Sequence, residues 1–532
     1  MVHVFGLVIA LTTSEQHPTA LTVDQWRSDL QYMAEQMPKK HKNLFHTMTP
    51  EAFHQAIDEL DADIPHLNDD EIVVRLATIA AMPEDSHTDV LSLPPGDFFP
   101  LRLRHYDDGI YVESAPPKYA AAVGGKVERI GNTSAETVYE KVAPLLARDE
   151  GNFGVLEWLG PVLMMSGNVL HGLDVEPTSD RVSVMVRKGG TDITLDLAPE
   201  VPIQTLDGHA PIPGWVDARG VGPAPLWLRH PERNFWYTYL PARHLFYIQF
   251  NSVHDAPDET IEHFFDAAFA KAAALPVDKM VLDIRLNHGG NNTLERPIVV
   301  GLVRNASIDR PGHLFVIISR YTYSAAQNLT NRLEAYTDAI FVGQPTGEHV
   351  NSYGDPIVFE LPNSHIRVGM SAVWWQDVSE RDERIETDPE IAAVPTIADY
   401  ISNRDPAMDA IVAYKPEESL EDQVLKGGLA AYRAWAEDPA HRYLLGTMER
   451  RINRLGYTLL GNHRTQQAIA MFEVNAEANP NSANAADSLG EAYTDVGDKA
   501  AAIASYRRAL QLDPTMQSSK DALEKLGATP TD

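Results

Sequence analysis

Residues 313–355 read HLFVIISRYTYSAAQNLTNRLEAYTDAIFVGQPTGEHVNSYGD, and the fold turns on this stretch. Residues 314–318 are an apolar, β-branched run of the length expected for a parallel strand buried on both faces. A polar turn, 319–323, follows. From Ser324 onward Leu329, Leu333 and Tyr336 fall on one helical face, and a second apolar run, 339–342, completes a strand–helix–strand unit. Ser324 therefore stands where a strand hands over to a helix N-terminus, whose free N–H groups favour negative charge. A serine nucleophile needs such a setting, because the attacked carbonyl oxygen becomes anionic beside it. Ala325 and Ala326 are small enough to let a substrate backbone approach. The competing reading is a plain N-cap, the commonest role of serine at a helix start.

Working outward, residues 244–250 predict a strand, 257–275 an amphipathic helix and 279–284 a strand buried on both faces. This alternation continues to Val342 and implies a mainly parallel sheet with crossover helices. The strand at 279–284 runs into Arg285-Leu286-Asn287-His288-Gly289-Gly290. Glycines there present backbone N–H groups without a Cβ in the way, the requirement of an oxyanion site. Gly-Gly also occurs at 124–125 and 189–190, where ordinary turns suffice. The Pro- and Gly-rich residues 202–241 read as a linker or loop.

Towards the N-terminus, three helical patterns occupy 22–82, with Trp26, Leu30 and Met33, then Phe53, Ile57 and Leu60, then Ile72, Leu76 and Ile79 as buried faces. A polar loop, Glu84-Asp85-Ser86-His87-Thr88-Asp89, follows. A histidine among hydroxyls and carboxylates suits a general base; a loop histidine, one of 20 in the chain, is the plainer reading. Residues 98–199 alternate as short strands with turns, including a hairpin over 182–197, in an order resembling a divergent PDZ domain. Such a domain binds a peptide by adding it to a sheet edge. From about Pro416 the chain is wholly helical. Leu455-Gly456 returns as Leu489-Gly490, Ala468-Ile469 as Ala502-Ile503, Phe472 as Tyr506 and Asn479-Pro480 as Asp513-Pro514. That period of about 34 is the tetratricopeptide spacing, which points to a protein-contact role or a cap on the fold.

The chain has 532 residues, so several domains are expected, and 44% hydrophobic content marks it as globular. Its 44 Lys and Arg against 75 Asp and Glu give a net charge of −31, which argues against nucleic acid or anionic membranes as partners. With no cysteine there is no disulfide, thiolate metal site or cysteine nucleophile. Residues 2–11 are apolar but lack a preceding Lys or Arg. They read as the core of a secretion signal or as a buried first strand, with export slightly favoured over a cytoplasmic location. No stretch is long enough to span a membrane.

Taken together, Asp283-Ile-Arg-Leu-Asn-His-Gly-Gly290, Thr322-Tyr-Ser-Ala-Ala-Gln327 and Gly343-Gln-Pro-Thr-Gly347 resemble, in order and spacing, the C-terminal-processing (tail-specific) serine peptidases. That family includes the tricorn protease core and the repeats of interphotoreceptor retinoid-binding protein. The resemblance covers roughly residues 20–410. It implies an α/β fold: a helical domain over 21–96 completing the active site, a PDZ-like domain over 97–200, and a crotonase-like α/β peptidase core over 201–415. An all-α tetratricopeptide segment, 416–532, would follow, and residues 1–20 would be a signal or extension. Ser324 resembles the nucleophile, and the amides of Ala325 with Gly289 or Gly290 resemble the oxyanion hole. Ser86, Asn287 and Gln327 are supporting residues. The bacterial members carry a lysine base in a Gly-x-x-Thr-x-x-Lys segment, where this chain has His349, leaving His87 and His349 as candidate bases. His87 is favoured because Ser86-His87 matches the tricorn-like members. The acidic orienter is assigned to Glu386, with Asp377 and Asp388 as rivals. The implied activity is peptide or protein hydrolysis with neither metal nor cofactor. The alternatives are a non-catalytic peptide- or lipid-binding protein, or a scaffold acting through the repeats.

Overall fold

The computed structural model describes residues 21–91, 96–415, 420–437 and 448–530. The apolar run at 2–11 and the start of the helical segment at Pro416 lie outside the described residues. The chain divides into two units, Met1–Lys415 and Pro416–Asp532.

The first unit begins with the helices Val23–Lys40, Pro50–Asp63 and Asp69–Ala81. Thr22 and Asn68 close capping boxes with Gln25 and Glu71, and Thr49 caps the second helix ahead of Pro50, so each start is specified locally. Next comes an antiparallel sheet in the order Arg102–Tyr106, Gly109–Ala115, Lys126–Ile130, Val182–Lys188, Thr191–Leu197. The helices Ala135–Val142, Gly154–Leu163 and Gly167–Gly172 are inserted after its third strand. One hydrophobic core runs through the helices, this sheet and the hairpin Ser352–Glu360/Arg367–Trp375, from Trp26 and Leu30 to Val112, Val184 and Met370. Among the described residues, the helical and β-rich regions therefore share an interior.

The second sheet has six strands, ordered Ile391–Ala392, Ile340–Gly343, Leu314–Ile318, Lys279–Asp283, Leu245–Phe250, Phe235–Leu240. All neighbours are parallel except the last pair. Helices Ile261–Ala273, Arg296–Val303 and Ala325–Tyr336 make the crossovers. Alternate residues feed two cores. Phe246, Ile248, Leu282 and Val316 pack on one face, while Leu245, Tyr247, Val281 and Phe315 meet Met408 and Ile411 on the other. Covering both faces explains why these strands are continuously apolar. The edge strand Phe235–Leu240 falls inside the stretch 202–241 expected to be a linker; its aromatic FWYTYL run pairs with Leu245–Phe250 across the turn at Pro241. The surrounding prolines and glycines mask a strand that only its partner stabilises.

The second unit is a succession of helices, Met448–Gly461, Thr465–Ala478, Ala483–Val496, Lys499–Leu512 and Gln517–Lys525, with Leu420–Glu437 ahead of them. A methyl at Gly456 would lie 2.5 Å from the Phe472 ring, and one at Gly490 would lie 2.8 Å from the Tyr506 ring. The same helix-to-ring approach thus recurs at the sequence period. Only glycine permits it.

Candidate active site

Ser324 follows the strand Leu314–Ile318 through the turn Ser319–Tyr323 and immediately precedes the helix Ala325–Tyr336. Its backbone is at φ 57°, ψ −127°, and its side chain makes no capping bond. A non-glycine residue in this region is strained, and the strain turns the hydroxyl away from the helix it heads. The N-cap reading of Ser324 is thus not the one the structure takes. Its Oγ instead lies 3.2 Å from Nε2 of His87, 237 positions earlier in the chain.

His87 is held from several sides. Its N–H donates to Asp85 Oδ1 at 2.9 Å, and its ring stacks on Tyr323 with centroids 4.7 Å apart. Asp85 also accepts from the Ser371 hydroxyl at 2.6 Å and pairs with buried His41 at 2.6 Å. Burial pushes the Asp85 carboxyl up, but His41, Ser371 and Thr88 outweigh it and hold the group below its ordinary value. The Tyr323 hydroxyl donates to the Ser86 carbonyl at 2.6 Å and lies 3.0 Å from His87 Nδ1. With its proton committed to a carbonyl, the phenol oxygen accepts from Nδ1–H. That hydrogen-bond pattern assigns the tautomer and leaves the Nε2 lone pair facing Ser324.

The carboxylate nearest this imidazole belongs to Glu348. Its Oε1 is 3.4 Å from His87 Nδ1, and its Oε2 accepts the Ser324 N–H at 2.5 Å. Burial and Asp149 push Glu348 up, while the Ser352 hydroxyl and the Ser324 amide pull it back, and the net direction is upward. Its loop is placed by Gly347, whose N–H donates to the Thr322 carbonyl at 2.9 Å. A methyl on Gly347 would sit 2.2 Å from the Arg320 carbonyl.

The predicted orienter Glu386 is elsewhere: its carboxylate pairs with Arg320. Asp377 accepts from Asn328 at 2.7 Å, and Asp388 is exposed. Sequence reasoning chose these because the resemblance places the acid after the core sheet, and it passed over Glu348 beside the candidate base His349. His349 itself turns aside, with Nε2 2.7 Å from the Glu150 carbonyl and its N–H on Asp149. The local signal for Glu348 is the pair of glycines, 343 and 347, bracketing its approach. Tyr323 carried no signal beyond its place next to Ser324.

Gly289 lies against the serine, where an added methyl would be 2.7 Å from both Ser324 Cβ and Ala325 N. Its own N–H is taken by Asn287 Oδ1 at 2.9 Å, and Asn287 Nδ2 anchors to the Phe250 carbonyl at 2.9 Å. Among the described residues, the amides of Gly290 and Ala325 have no hydrogen-bond acceptor. Gln327 bonds Asn331 and Thr387 within the helix and its surroundings, and supports the helix rather than meeting Ser324. Among the described residues no cluster of His, Asp or Glu is arranged to hold a metal ion, and no helix is long and apolar enough to cross a membrane.

No family model and no curated protein matches this chain. Among solved structures it is similar to mature CPAF complexed with lactacystin, at 12% identity over 73% of this chain and 97% of that chain, with a TM-score of 0.49. The photosystem II D1 C-terminal processing protease is similar at 14% identity over 72% and 97%, with a TM-score of 0.35. Tricorn protease is similar at 11% identity over 75% and 37%, with a TM-score of 0.34. At such distances the chemistry is read from the side chains themselves.

Proposed function

We propose that the protein is a serine peptidase acting on peptide or protein substrates. The observation that carries this reading is the 3.2 Å approach of His87 Nε2 to Ser324 Oγ, with the Tyr323 oxygen and Glu348 on the far side of the imidazole. His87 takes the hydroxyl proton as Oγ attacks the carbonyl carbon, and the oxyanion forms against the Gly290 and Ala325 amides. Glu348, 3.4 Å from Nδ1, orients the imidazole together with the Tyr323 oxygen, which keeps Nδ1–H in place. His87 then returns the proton to the leaving amine. Water repeats the sequence on the acyl-enzyme. Burial, the largest influence on His87, lowers its pKa despite Asp85, Asp149 and Asp355, which keeps the imidazole neutral and competent as a base.

In the same reading the antiparallel sheet over 102–197 is PDZ-like, the parallel-sheet region is a crotonase-like peptidase core, and the helices after Pro416 are tetratricopeptide repeats offering a protein-contact surface. The chain is assigned to the tricorn-like side of the tail-specific peptidases on its histidine base. A fluorophosphonate probe tests the chemistry: it should label the wild type and neither Ser324→Ala nor His87→Ala. Undiminished labelling of Ser324→Ala would sink the assignment, and a folded wild type that is never labelled would leave a non-catalytic binding protein.

A further inference from the structure

A small crevice of about 80 Å³ lies at the carboxyl ends of the core strands, lined there by Ile317, Ile318 and Gly343. Open α/β sheets bind ligands in this position. The opposite wall comes from the antiparallel sheet and the loop after it, with Arg104, Tyr106 and His209. Arg104 is only 3% exposed. Its Nε reaches Glu113 at 3.2 Å and its Nη2 the Gly208 carbonyl at 2.5 Å, but its Nη1 has no protein partner. His209 Nε2 is likewise buried and unpartnered, as is Nδ1 of His288, whose ring lies 5.8 Å from the Tyr321 ring. The unsatisfied nitrogens of Arg104 and His209, both lining the crevice, are a cost that a ligand would relieve.

Two of the other charges around the crevice are already paired. Arg285 is clamped between Asp283 and Asp405, and Glu157 lies 3.5 Å from Arg320. Burial, then the positive charge of Arg104, holds His209 well below its ordinary pKa, so the ring is neutral and one of its nitrogens carries an N–H that can donate to a ligand. Glu113, Glu157 and Asp107 also line the crevice, which disfavours a dianion. Leu286, Ala393 and Ala407 supply apolar surface beside the polar wall.

We propose that this crevice binds a short aliphatic monocarboxylate, its carboxylate on Arg104 Nη1 and His209 Nε2 and its tail against Leu286 and Ile317. Tyr321 stands three residues before Ser324, and Leu286 three before Gly289, so an occupant would touch both loops that form the candidate active site. Occupancy should therefore alter turnover. This coupling rests on the hydrolase reading; the binding does not.

Calorimetric titration of the full chain bearing Ser324→Ala with sodium butyrate tests the binding, with butyramide and inorganic phosphate as comparisons. Saturable butyrate binding is expected, with butyramide and phosphate weaker. His209→Phe keeps the ring against Tyr321 and Trp227 and should weaken butyrate roughly five- to tenfold, and Arg104→Gln roughly tenfold or more. Because Arg104 is buried and its variant could misfold, His209→Phe alone decides the point. Absent butyrate binding, butyramide or phosphate binding as tightly, or an unchanged affinity in His209→Phe overturns the site. In the wild type, butyrate should change peptide turnover with the same concentration dependence as its binding. Binding without such a change overturns the coupling, whereas a protein that binds butyrate but never hydrolyses peptide refutes only the peptidase reading.

Discussion

Glu348 and Glu386 are 38 positions apart and carry the same functional group, yet their surroundings give them different work. Glu348 holds the Ser324 amide and faces His87, whereas Glu386 is neutralised by Arg320. Glu348→Gln should lower kcat/KM by roughly 10², since the imidazole loses the carboxyl that orients it, while Glu386→Gln should stay within about tenfold. Steady-state kinetics on a peptide substrate compares them, and the reverse order would return the orienting role to Glu386. The same scale governs pH dependence. His87 faces Glu348, Tyr323, Asp85, Asp149 and Asp355, and its depressed pKa means that the protonated, inactive form accumulates only in more acid solution. The acid limb of kcat/KM should have its midpoint below the ordinary histidine value of about 6.5. A midpoint at or above that value would show that burial does not control the base.

Among the elements, the loop after the strand Lys279–Asp283 and the turn into the helix Ala325–Tyr336 approach as closely as backbone permits. Gly289 sits at φ +96° with its missing methyl 2.7 Å from Ser324 Cβ. Gly289→Ala must either move the serine or open the loop, and carries a backbone strain on the order of 1–3 kcal/mol. It should lower turnover by at least about 10² and lower the melting temperature. Full activity in this variant would mean that the loop does not help to form the site. The strain at Ser324 belongs to the same construction, because a strand-to-helix turn presents a hydroxyl outward only in an unfavourable backbone region.

At the scale of the whole molecule, each of the two units, Met1–Lys415 and Pro416–Asp532, has hydrophobic clusters of its own among the described residues. A chain ending at Lys415 should fold and retain hydrolysis within a few-fold of the full chain, read by circular dichroism and peptide turnover. Loss of activity with the fold intact would give the helical segment a part in the reaction and favour the scaffold reading.

What the sequence determined by itself was what short-range periodicity encodes. The apolar run before Ser324, the helical face after it, the glycines at 289 and 290 and the period-34 repetition all concern residues near one another in the chain, where strand and helix geometry fix which side chains share a face. Even there the edge strand Phe235–Leu240 escaped, because a strand among prolines and glycines declares itself only through its neighbour. Only the tertiary structure decided which acid faces the imidazole, and it brought His87, the histidine favoured from the sequence, within reach of the serine. His87 reaches it across 237 positions because the N-terminal helices share a core with the hairpin at 352–375, and Glu348 displaces Glu386 because Gly347 lets its loop close on Thr322. No local pattern carries such pairings: carboxylates 38 residues apart look alike until packing commits one to an arginine and leaves the other facing an imidazole.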